Sequence, residues 1–161
     1  MSRNETGVER LETSKVTIHE IRDLRNMPQW ISVDSLADFL HMSLKPYDDP
    51  VDQVKSAIEY ALSVDGSRGG FVLLAEADLN PVGALVMLRT GMGGYIPENI
   101  LVYVAVDPSS RGSGLGSRII TKAFELAEGD VKLHVEYDNP AKRLYERLGM
   151  TSKYAEMRYI K

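Results

Sequence analysis

The sequence predicts a mixed α/β domain of two or three layers, built around one central sheet. Strand-like and helix-like hydrophobic periods follow one another in the order β-αα-ββ-β-α-β-α-β. No internal repeat, low-complexity segment or linker interrupts the 161 residues, a length that suits one domain with its own core. A glycine-dense turn stands between the fourth strand and the third helix, where a ligand could approach the backbone.

The first half of the chain supplies three strands and two helices. A polar segment over 1–15 is expected to be a flexible tail, and the alternating residues that follow it indicate a half-buried strand. Ser32 is a suitable cap for the first helix, and Pro50 is the expected first residue of the second. Asn80 and Pro81 are the predicted turn of a hairpin. The predicted strands cover 16–21, 71–77 and 82–88, and the predicted helices cover 33–44 and 50–62.

The second half supplies three more strands and two more helices, which completes a single expected domain over 16–161. The strand over 100–106 is rich in β-branched residues, and the helix after the glycines carries an apolar stripe from Leu115 to Ala127. In the last helix, Asn139 is the expected N-cap, Pro140 the first residue and Gly149 the residue after the end. Further strands are predicted over 131–137 and 151–160.

The glycine-dense turn, RGSGLG over 111–116, has the composition of an anion site. The first N–H groups of a helix have no partner within it, and the helix dipole adds positive charge there. Glycines allow several of these N–H groups to converge on one phosphate. The alternative is a surface turn without a ligand. No Lys follows in the register of a P-loop, and too little chain remains for a dinucleotide-binding fold.

The spacing R-x-x-G-x-G, formed by Arg111, Gly114 and Gly116 after the strand end VAVDP, resembles the acetyl-CoA pyrophosphate motif of the GNAT superfamily of N-acetyltransferases. The stretch NPAKRLYERLGM also resembles that superfamily's fourth-helix signature. Its first part is one residue short, so either Asp138 or Asn139 fills the family's Asn position. The resemblance implies a mixed sheet with a splayed fourth and fifth strand and helices on both faces.

The resemblance also implies a set of residues that bind acetyl-CoA. The backbone of the fourth strand would hold the pantetheine arm, and Tyr145 would protonate the departing thiolate; alternatively, Tyr145 only fills the core. Arg118 and Lys122 either reach the adenosine phosphates or line a solvated helix face. The implied cofactor-binding residues are Val104, Ala105, Val106, Arg111, Gly112, Ser113, Gly114, Leu115, Gly116, Ser117, Asn139 and Tyr145.

The general base that deprotonates the acceptor amine is the least determined part of the predicted site. Glu98 stands at the entrance to the fourth strand, and His134 and Glu136 alternate to one face of the next predicted strand. Carboxylates and imidazoles both take up protons in enzymes, although a chain of waters could do so as well. Glu98 and His134 are placed ahead of Glu136, and the catalytic candidates are therefore Tyr145, Glu98 and His134.

Composition excludes several other classes of function. The net charge of −4 argues against nucleic-acid binding, and no apolar run is long enough for a membrane span. The three histidines are scattered, so no metal site is expected. The absence of cysteine fits a cytoplasmic protein and excludes a covalent thioester on cysteine.

The resulting hypothesis is an N-acetyltransferase that moves an acetyl group from acetyl-CoA directly to a primary amine of a small molecule or protein. The expected partners are acetyl-CoA and that amine, with a homodimer as the assembly considered beside the monomer. The competing hypotheses are a non-catalytic acyl-CoA-binding or sensing module on the same fold and an unrelated nucleotide-binding domain.

Overall fold

The computed structural model describes residues 15–63 and 69–161. Five strands form one sheet in the order β1-β2-β3-β4-β5, and successive strands are antiparallel except for the parallel pair β4–β5. The strands are β1 (Thr17–Ile21), β2 (Gly70–Ala77), β3 (Asn80–Arg89), β4 (Asn99–Val106) and β5 (Val131–Leu133). The helices are α1 (Val33–Leu44), α2 (Val51–Ala61), α3 (Leu115–Leu126) and α4 (Ala141–Arg147). Short 3-10 turns lie at Leu24–Asn26 and Pro108–Ser110. The predicted tail over 1–15 falls almost entirely outside the described residues.

The sheet carries a hydrophobic core on each of its two faces. On one face, α1 and α2 pack through side chains such as Leu40 and Ile58, which are fully buried. On the other face, α3 packs through Ile119 and Ile120, and α4 adds Tyr145. The strands β2 and β3 lie in the middle and are buried almost throughout, so their apolar runs serve both cores at once. Helices on both faces of a mixed sheet confirm the predicted fold class.

The hairpin between β2 and β3 turns two residues earlier than predicted. Asp78 and Leu79 are its central residues, with φ values of 51° and 60°, and Asn80 already pairs with Ala77. Two residues with positive φ match the twist of the flanking strands, which is the reason that two-residue hairpins favour this geometry. The Asn80 amide donates to the Asp78 carbonyl at 2.9 Å, so Asn80 supports the turn without being its centre.

The parallel pair of strands β4 and β5 is joined over three residues, and the last pair is Leu101–Leu133. At the same point β4 contains a bulge, because Met87 of β3 pairs with Leu101 whereas Val86 pairs with Tyr103. The extra residue, Val102, places two consecutive side chains, Val102 and Tyr103, on the α1–α2 face. Beyond the bulge, β4 has β3 as its one strand partner among the described residues.

Two predicted strands are wrong in extent. The strand predicted over 131–137 ends at Leu133, because β4 and β5 part there and residues 134–137 lose their ladder partner. The strand predicted over 151–160 forms no regular structure, and all of its residues are exposed. Alternation of apolar and polar residues is not sufficient to form a strand, because a strand also needs a neighbouring strand for its backbone hydrogen bonds.

Helix starts differ from the predictions by one position, within the usual spread of helix boundaries. Pro50 and Pro140 precede the first helical residue of α2 and α4 instead of occupying it. Ser32 caps α1 as predicted, through a reciprocal pair of hydrogen bonds with Ser35. In the described part of the chain, no helix is long and apolar enough to cross a membrane.

Candidate active site

The glycine turn lies between the end of β4 and the start of α3. Gly112 and Gly114 have φ values of 79° and 80°, in the left-handed region that favours glycine, and Gly114 is the residue before the helix. A Cβ atom at either position would meet nothing within 4 Å, so the space in front of the turn is open. The left-handed turn and the open space together leave room for a ligand at the helix N-terminus.

The backbone N–H groups that follow Arg111 in the turn lack backbone acceptors among the described residues. The N–H of Arg111 reaches the Pro108 carbonyl at 3.4 Å, and the next matched backbone donor is Arg118, which bonds to the Gly114 carbonyl at 3.1 Å. The N–H groups over 112–117 therefore have no backbone acceptor within the described ranges. Ser113 uses its hydroxyl to donate to the Ser110 carbonyl at 2.6 Å, which stiffens the turn. A set of free donors at a helix N-terminus is suited to an anion.

The Arg111 side chain fastens the turn to the rest of the fold. Its guanidinium donates to the Ser43 carbonyl at 2.7 Å and to the Val106 carbonyl at 3.2 Å. These bonds connect the end of α1, the end of β4 and the turn. From the sequence, Arg111 was expected to bind the cofactor phosphate. In the structure, its guanidinium is hydrogen-bonded to the Ser43 and Val106 carbonyls and holds the turn in place.

The parted half of β4 offers backbone groups to a ligand. Asp107 donates its N–H to the Val82 carbonyl of β3 at 2.9 Å. Because successive N–H groups of a strand point to opposite edges, those of Val104 and Val106 point away from β3, toward the gap left by β5. Ala105 points its backbone toward β3 and buries its side chain against α1 and α2. A ligand chain with amide groups could therefore bond along Val104 and Val106.

Tyr145 lies on α4 and is 9% exposed. Burial raises its pKa to about 12, and the Glu136 carboxylate adds to this effect, so the phenol keeps its proton at neutral pH. No hydrogen-bond partner of its hydroxyl is found among the residues described. The neighbouring Leu144 reaches within 3.5 Å of the position that a Cβ atom on Gly116 would occupy, and so α4 packs directly on the start of α3. This contact brings Tyr145 to the same end of the sheet as the glycine turn.

The segment before α4 is held by Asn139. Its Oδ1 accepts from the Ala141 N–H at 3.0 Å, although Pro140, and not Asn139 as predicted, holds the N-cap position of α4, and its Nδ2 donates to Glu136 at 3.1 Å. The Asp138 backbone carbonyl accepts from the Tyr47 hydroxyl at 3.1 Å. Asn139 thus shapes the turn into α4, while Asp138 links it to the loop between α1 and α2.

Glu98 lies at the opposite end of β4, about 20 Å along the strand from Val104. Its Oε2 accepts from the Asp130 N–H at 2.7 Å. Its own N–H and that of Asp130 lower the pKa of the carboxyl, which makes it a weaker base. A side chain at Gly129 would collide with this carboxylate. The structure therefore puts Glu98, and the loop over 90–97 beside it, where β4 and β5 are still paired.

His134 follows the last pair of the β4–β5 ladder and is exposed. Glu136 is exposed as well and accepts from Asn139. Because the predicted strand stops at Leu133, alternation no longer puts these two side chains on one face. Of the candidates for the base, His134 is the one whose backbone stands where the two strands separate.

A link between β4 and the α1–α2 loop was not found from the sequence. The Tyr103 hydroxyl donates to Asp49 Oδ2 at 2.7 Å. His41 of α1 contacts the Asp49 carbonyl through Nδ1 at 2.8 Å and approaches Asp48 at 3.5 Å. The bulge turns Tyr103 toward these partners, and no signal in the sequence announces a bulge at this position.

The basic residues of α3 stand apart from the turn. Arg118 donates to the Val16 carbonyl at 3.2 Å and so anchors the chain before β1. Lys122 is exposed. Within the described ranges, no group of three or more His, Cys, Asp or Glu side chains is arranged to hold a metal ion.

Comparison with known families identifies the family of this chain. The family model described as an acetyltransferase (GNAT) domain matches residues 68–150, slightly more than half of the chain. The chain belongs to the GNAT acetyltransferase family. The matched range runs from the start of β2 to the end of α4, and so includes the parted strands, the glycine turn and Tyr145. No curated protein sequence matches the chain.

Solved structures with the same fold carry differing descriptions. An aminoglycoside N-acetyltransferase in complex with CoA has a TM-score of 0.63 at 15% identity, over 91% of this chain and 94% of that protein. A ribosomal-protein-alanine N-acetyltransferase from Brucella melitensis biovar Abortus 2308 has a TM-score of 0.58 at 20% identity, over 91% and 99%. A transcriptional regulator from Bacillus halodurans C-125 has a TM-score of 0.63 at 20% identity, over 91% and 99%. At these identities the likeness concerns the fold.

Proposed function

We propose that this GNAT protein transfers an acetyl group from acetyl-CoA directly to a primary amine. One observation carries the proposal: the free N–H groups over 112–117, the parted strand β4 and the Tyr145 hydroxyl all belong to one end of the sheet. This is the combination that a thioester donor with a phosphate at one end and an amide-containing arm requires.

The N–H groups over 112–117 would bind the pyrophosphate of CoA. An anion at a helix N-terminus gains from several hydrogen bonds and from the helix dipole together. The pantetheine arm, which contains two amides, would then pair with the backbone of Val104 and Val106, along the part of β4 that β5 no longer accompanies. The bulge at Val102 ends the β4–β5 ladder, and the thioester would lie near that point.

In the reaction, the amine nitrogen attacks the thioester carbonyl carbon, the C–S bond breaks, and the thiolate leaves to become CoA. Tyr145 would supply the proton to this sulfur, because burial keeps the phenol protonated and its hydroxyl is not engaged by the described residues. The nitrogen loses its second proton as the amide forms, and that proton would pass through water and restore the Tyr145 phenol. Direct transfer needs no enzyme nucleophile, in agreement with a chain without cysteine. The role of the protein is therefore to position two substrates and one proton.

The proton lost by the ammonium would pass to His134 or to a water molecule beside it. His134 stands directly after the last β4–β5 pair, whereas Glu98 is held by Asp130 at the far end of β4. The geometry therefore favours His134 over Glu98 as the base. Histidine is the side chain best suited to accept a proton near neutral pH.

The acceptor would enter from the α1–α2 side, where Tyr103 emerges from the bulge. Asp48 and Asp49 lie in the loop between the two helices, and Asp138 is joined to that loop through Tyr47. Carboxylates at this entrance attract a cation, which supports an amine in its ammonium form as the arriving substrate. The acyl acceptor is therefore proposed to be a cationic amine.

Turnover of acetyl-CoA, followed by thiol release, tests the proposal against a panel of polyamines, amino acids, aminoglycosides and peptides with a free N-terminus or lysine. Release of CoA that depends on one class of amine would support it. Binding of CoA without release of thiol across the panel would favour the acyl-CoA-sensing module instead. Binding of ATP or NAD in place of CoA would contradict both hypotheses. A cytoplasmic location stays a prediction from the cysteine-free sequence.

A further inference from the structure

The Arg111 guanidinium joins two backbone carbonyls that belong to different elements. Its Nη2 donates to the Ser43 carbonyl of α1 at 2.7 Å, and its Nε donates to the Val106 carbonyl of β4 at 3.2 Å. Ser43 is buried and lies 68 residues before Arg111 in the chain. The Nε–Nη2 edge of a guanidinium can hold two oxygens of one phosphate, and here it is bonded within the fold instead.

The Ser43 carbonyl lies in the last turn of α1, where a helix leaves its last four carbonyls without a partner in the helix. The next carbonyl, that of Leu44, accepts from the Tyr47 N–H at 2.9 Å. Arg111 supplies the donor for Ser43, and its positive charge is favourable at the negative end of the helix dipole. Arg111 therefore caps α1 from outside the helix, at the point where the α1–α2 loop over 45–50 begins.

The α1–α2 loop leads from this end of α1 back to β4. His41, in the last turn of α1, contacts the Asp49 carbonyl through Nδ1 at 2.8 Å, and the Asp49 carboxylate accepts from the Tyr103 hydroxyl at 2.7 Å. Together with the bonds of Arg111, these contacts form a closed ring that leaves β4 at Val106 and returns to it at Tyr103. The ring thus brackets the parted half of β4.

We propose that Arg111 is a positioning residue for the acceptor amine. It holds the end of α1 through the Ser43 carbonyl, and the loop that follows holds Asp49 against Tyr103 at the proposed entrance for the amine. This role rests on the proposed acetyl transfer. It gives an arginine of the glycine turn its main effect on the amine, through the α1–α2 loop, and not on the phosphate of the donor.

Two substitutions separate the bridge between the carbonyls from the positive charge. Arg111→Lys keeps the charge beside the turn, but one ammonium does not reproduce the planar fork that spans two carbonyls. Arg111→Gln removes the charge as well. Both variants should raise the KM for the amine by at least about fivefold, the equivalent of one hydrogen bond. The dissociation constant of CoA, measured by calorimetry, should stay within about threefold of wild type in Arg111→Lys.

Hydrogen exchange adds a measurement that needs no substrate. The Tyr47 N–H, bonded to the Leu44 carbonyl, should exchange at least about threefold faster in Arg111→Lys than in wild type, because the end of α1 loses its cap. Arg118→Lys is the matched control. Arg118 also donates to a distant carbonyl, that of Val16 at 3.2 Å, but this bond leads to the chain before β1. The control should keep the wild-type exchange of Tyr47 and the wild-type KM for the amine.

Wild-type exchange of the Tyr47 N–H in Arg111→Lys would overturn the proposal, since the loop would then be held by its other contacts. A wild-type KM for the amine in Arg111→Lys would overturn it as well. If CoA binding in that variant weakens by at least about tenfold while the KM for the amine is unchanged, Arg111 is a phosphate ligand. Failure of the proposed function gives a different result: no amine of the panel releases thiol. The amine role of Arg111 then fails with it, while the exchange of Tyr47 still shows whether Arg111 holds the loop.

Discussion

The Tyr103 hydroxyl donates a 2.7 Å hydrogen bond to Asp49 Oδ2 and thereby joins the parted half of β4 to the loop before α2. Burial raises the pKa of Tyr103 above its usual value, and the hydrogen bond to the carboxylate adds to the rise. The phenol is therefore protonated at neutral pH and can donate this hydrogen bond. One end of this contact lies next to the proposed thioester position, and the other lies at the proposed entrance for the amine.

Replacement of Tyr103 by Phe should loosen the α1–α2 loop without opening the core. We expect the KM for the amine to rise by about threefold to tenfold, while the KM for acetyl-CoA stays the same. The free energy of unfolding should fall by about 1 kcal/mol, the usual value of one hydrogen bond. Tyr95→Phe is the control, because Tyr95 is 83% exposed at the other end of β4. A rise in the KM for acetyl-CoA alone would contradict this assignment.

Gly114→Val should abolish CoA binding and leave a folded protein. Its side chain would occupy the open space before the turn, and a residue with positive φ costs about 1–2 kcal/mol. Gly94→Val imposes a similar backbone cost, since Gly94 has a φ of 92° and open space around it, but it lies far from the turn.

Thermal unfolding with and without CoA measures the difference between these two variants. At a hundredfold excess over Kd, CoA should stabilise wild type and Gly94→Val by about 2.7 kcal/mol and Gly114→Val not at all. If CoA stabilises both variants equally, the turn is not part of the CoA site. No shift in wild type would contradict the proposed donor.

Tyr145→Phe should lower kcat by at least about tenfold and leave the KM for acetyl-CoA nearly unchanged. The ring still packs in the core, and only the hydroxyl that meets the sulfur in the transition state is lost. Tyr137→Phe is the control, because Tyr137 is 86% exposed in the segment before α4. Steady-state rates must be compared under conditions in which product release is not limiting. If the rate of the chemical step is the same in Tyr145→Phe and wild type, Tyr145 only fills the core.

The raised pKa of Tyr145, about 12, adds a prediction about pH. The folded state holds this proton more tightly than the unfolded state, whose phenol loses it near pH 10. Its contribution to stability is therefore fully present below about pH 10 and is lost as the pH rises toward about 12. The alkaline loss of stability should be smaller in Tyr145→Phe, which denaturant titrations at several pH values would measure. An identical alkaline profile in the two proteins would contradict the raised pKa.

Glu98→Gln separates a structural carboxylate from a catalytic base. Hydrogen bonds lower the pKa of Glu98, so its contribution to stability is present above its ordinary pKa and is lost as the pH falls through the lowered value. We expect the variant to be less stable at neutral pH, equal to wild type in strong acid, and changed less than about threefold in kcat. A large loss of kcat with unchanged stability would make Glu98 the base after all.

The sequence determined much of the local structure at the proposed acetyl-CoA site. The strand before the glycines, the turn and the apolar stripe of α3 are contiguous, and their local chemistry is sufficient to form them. Gly112 and Gly114 adopt a left-handed backbone, which glycine allows at little cost. Asn139 bonds the Ala141 N–H at the start of α4, but it lies one residue before the N-cap position, which Pro140 holds.

The tertiary structure decided the acceptor side. Where β4 and β5 part, a bulge adds Val102, turns Tyr103 toward Asp49 and ends the strand at Leu133. These features depend on pairing between residues far apart in the chain, and side-chain alternation carries no information about whether a strand finds a partner. Adjacency in sequence makes Glu98 a candidate base, and only the extended length of β4 puts it about 20 Å along the strand from Val104. Its role as a base stays a prediction.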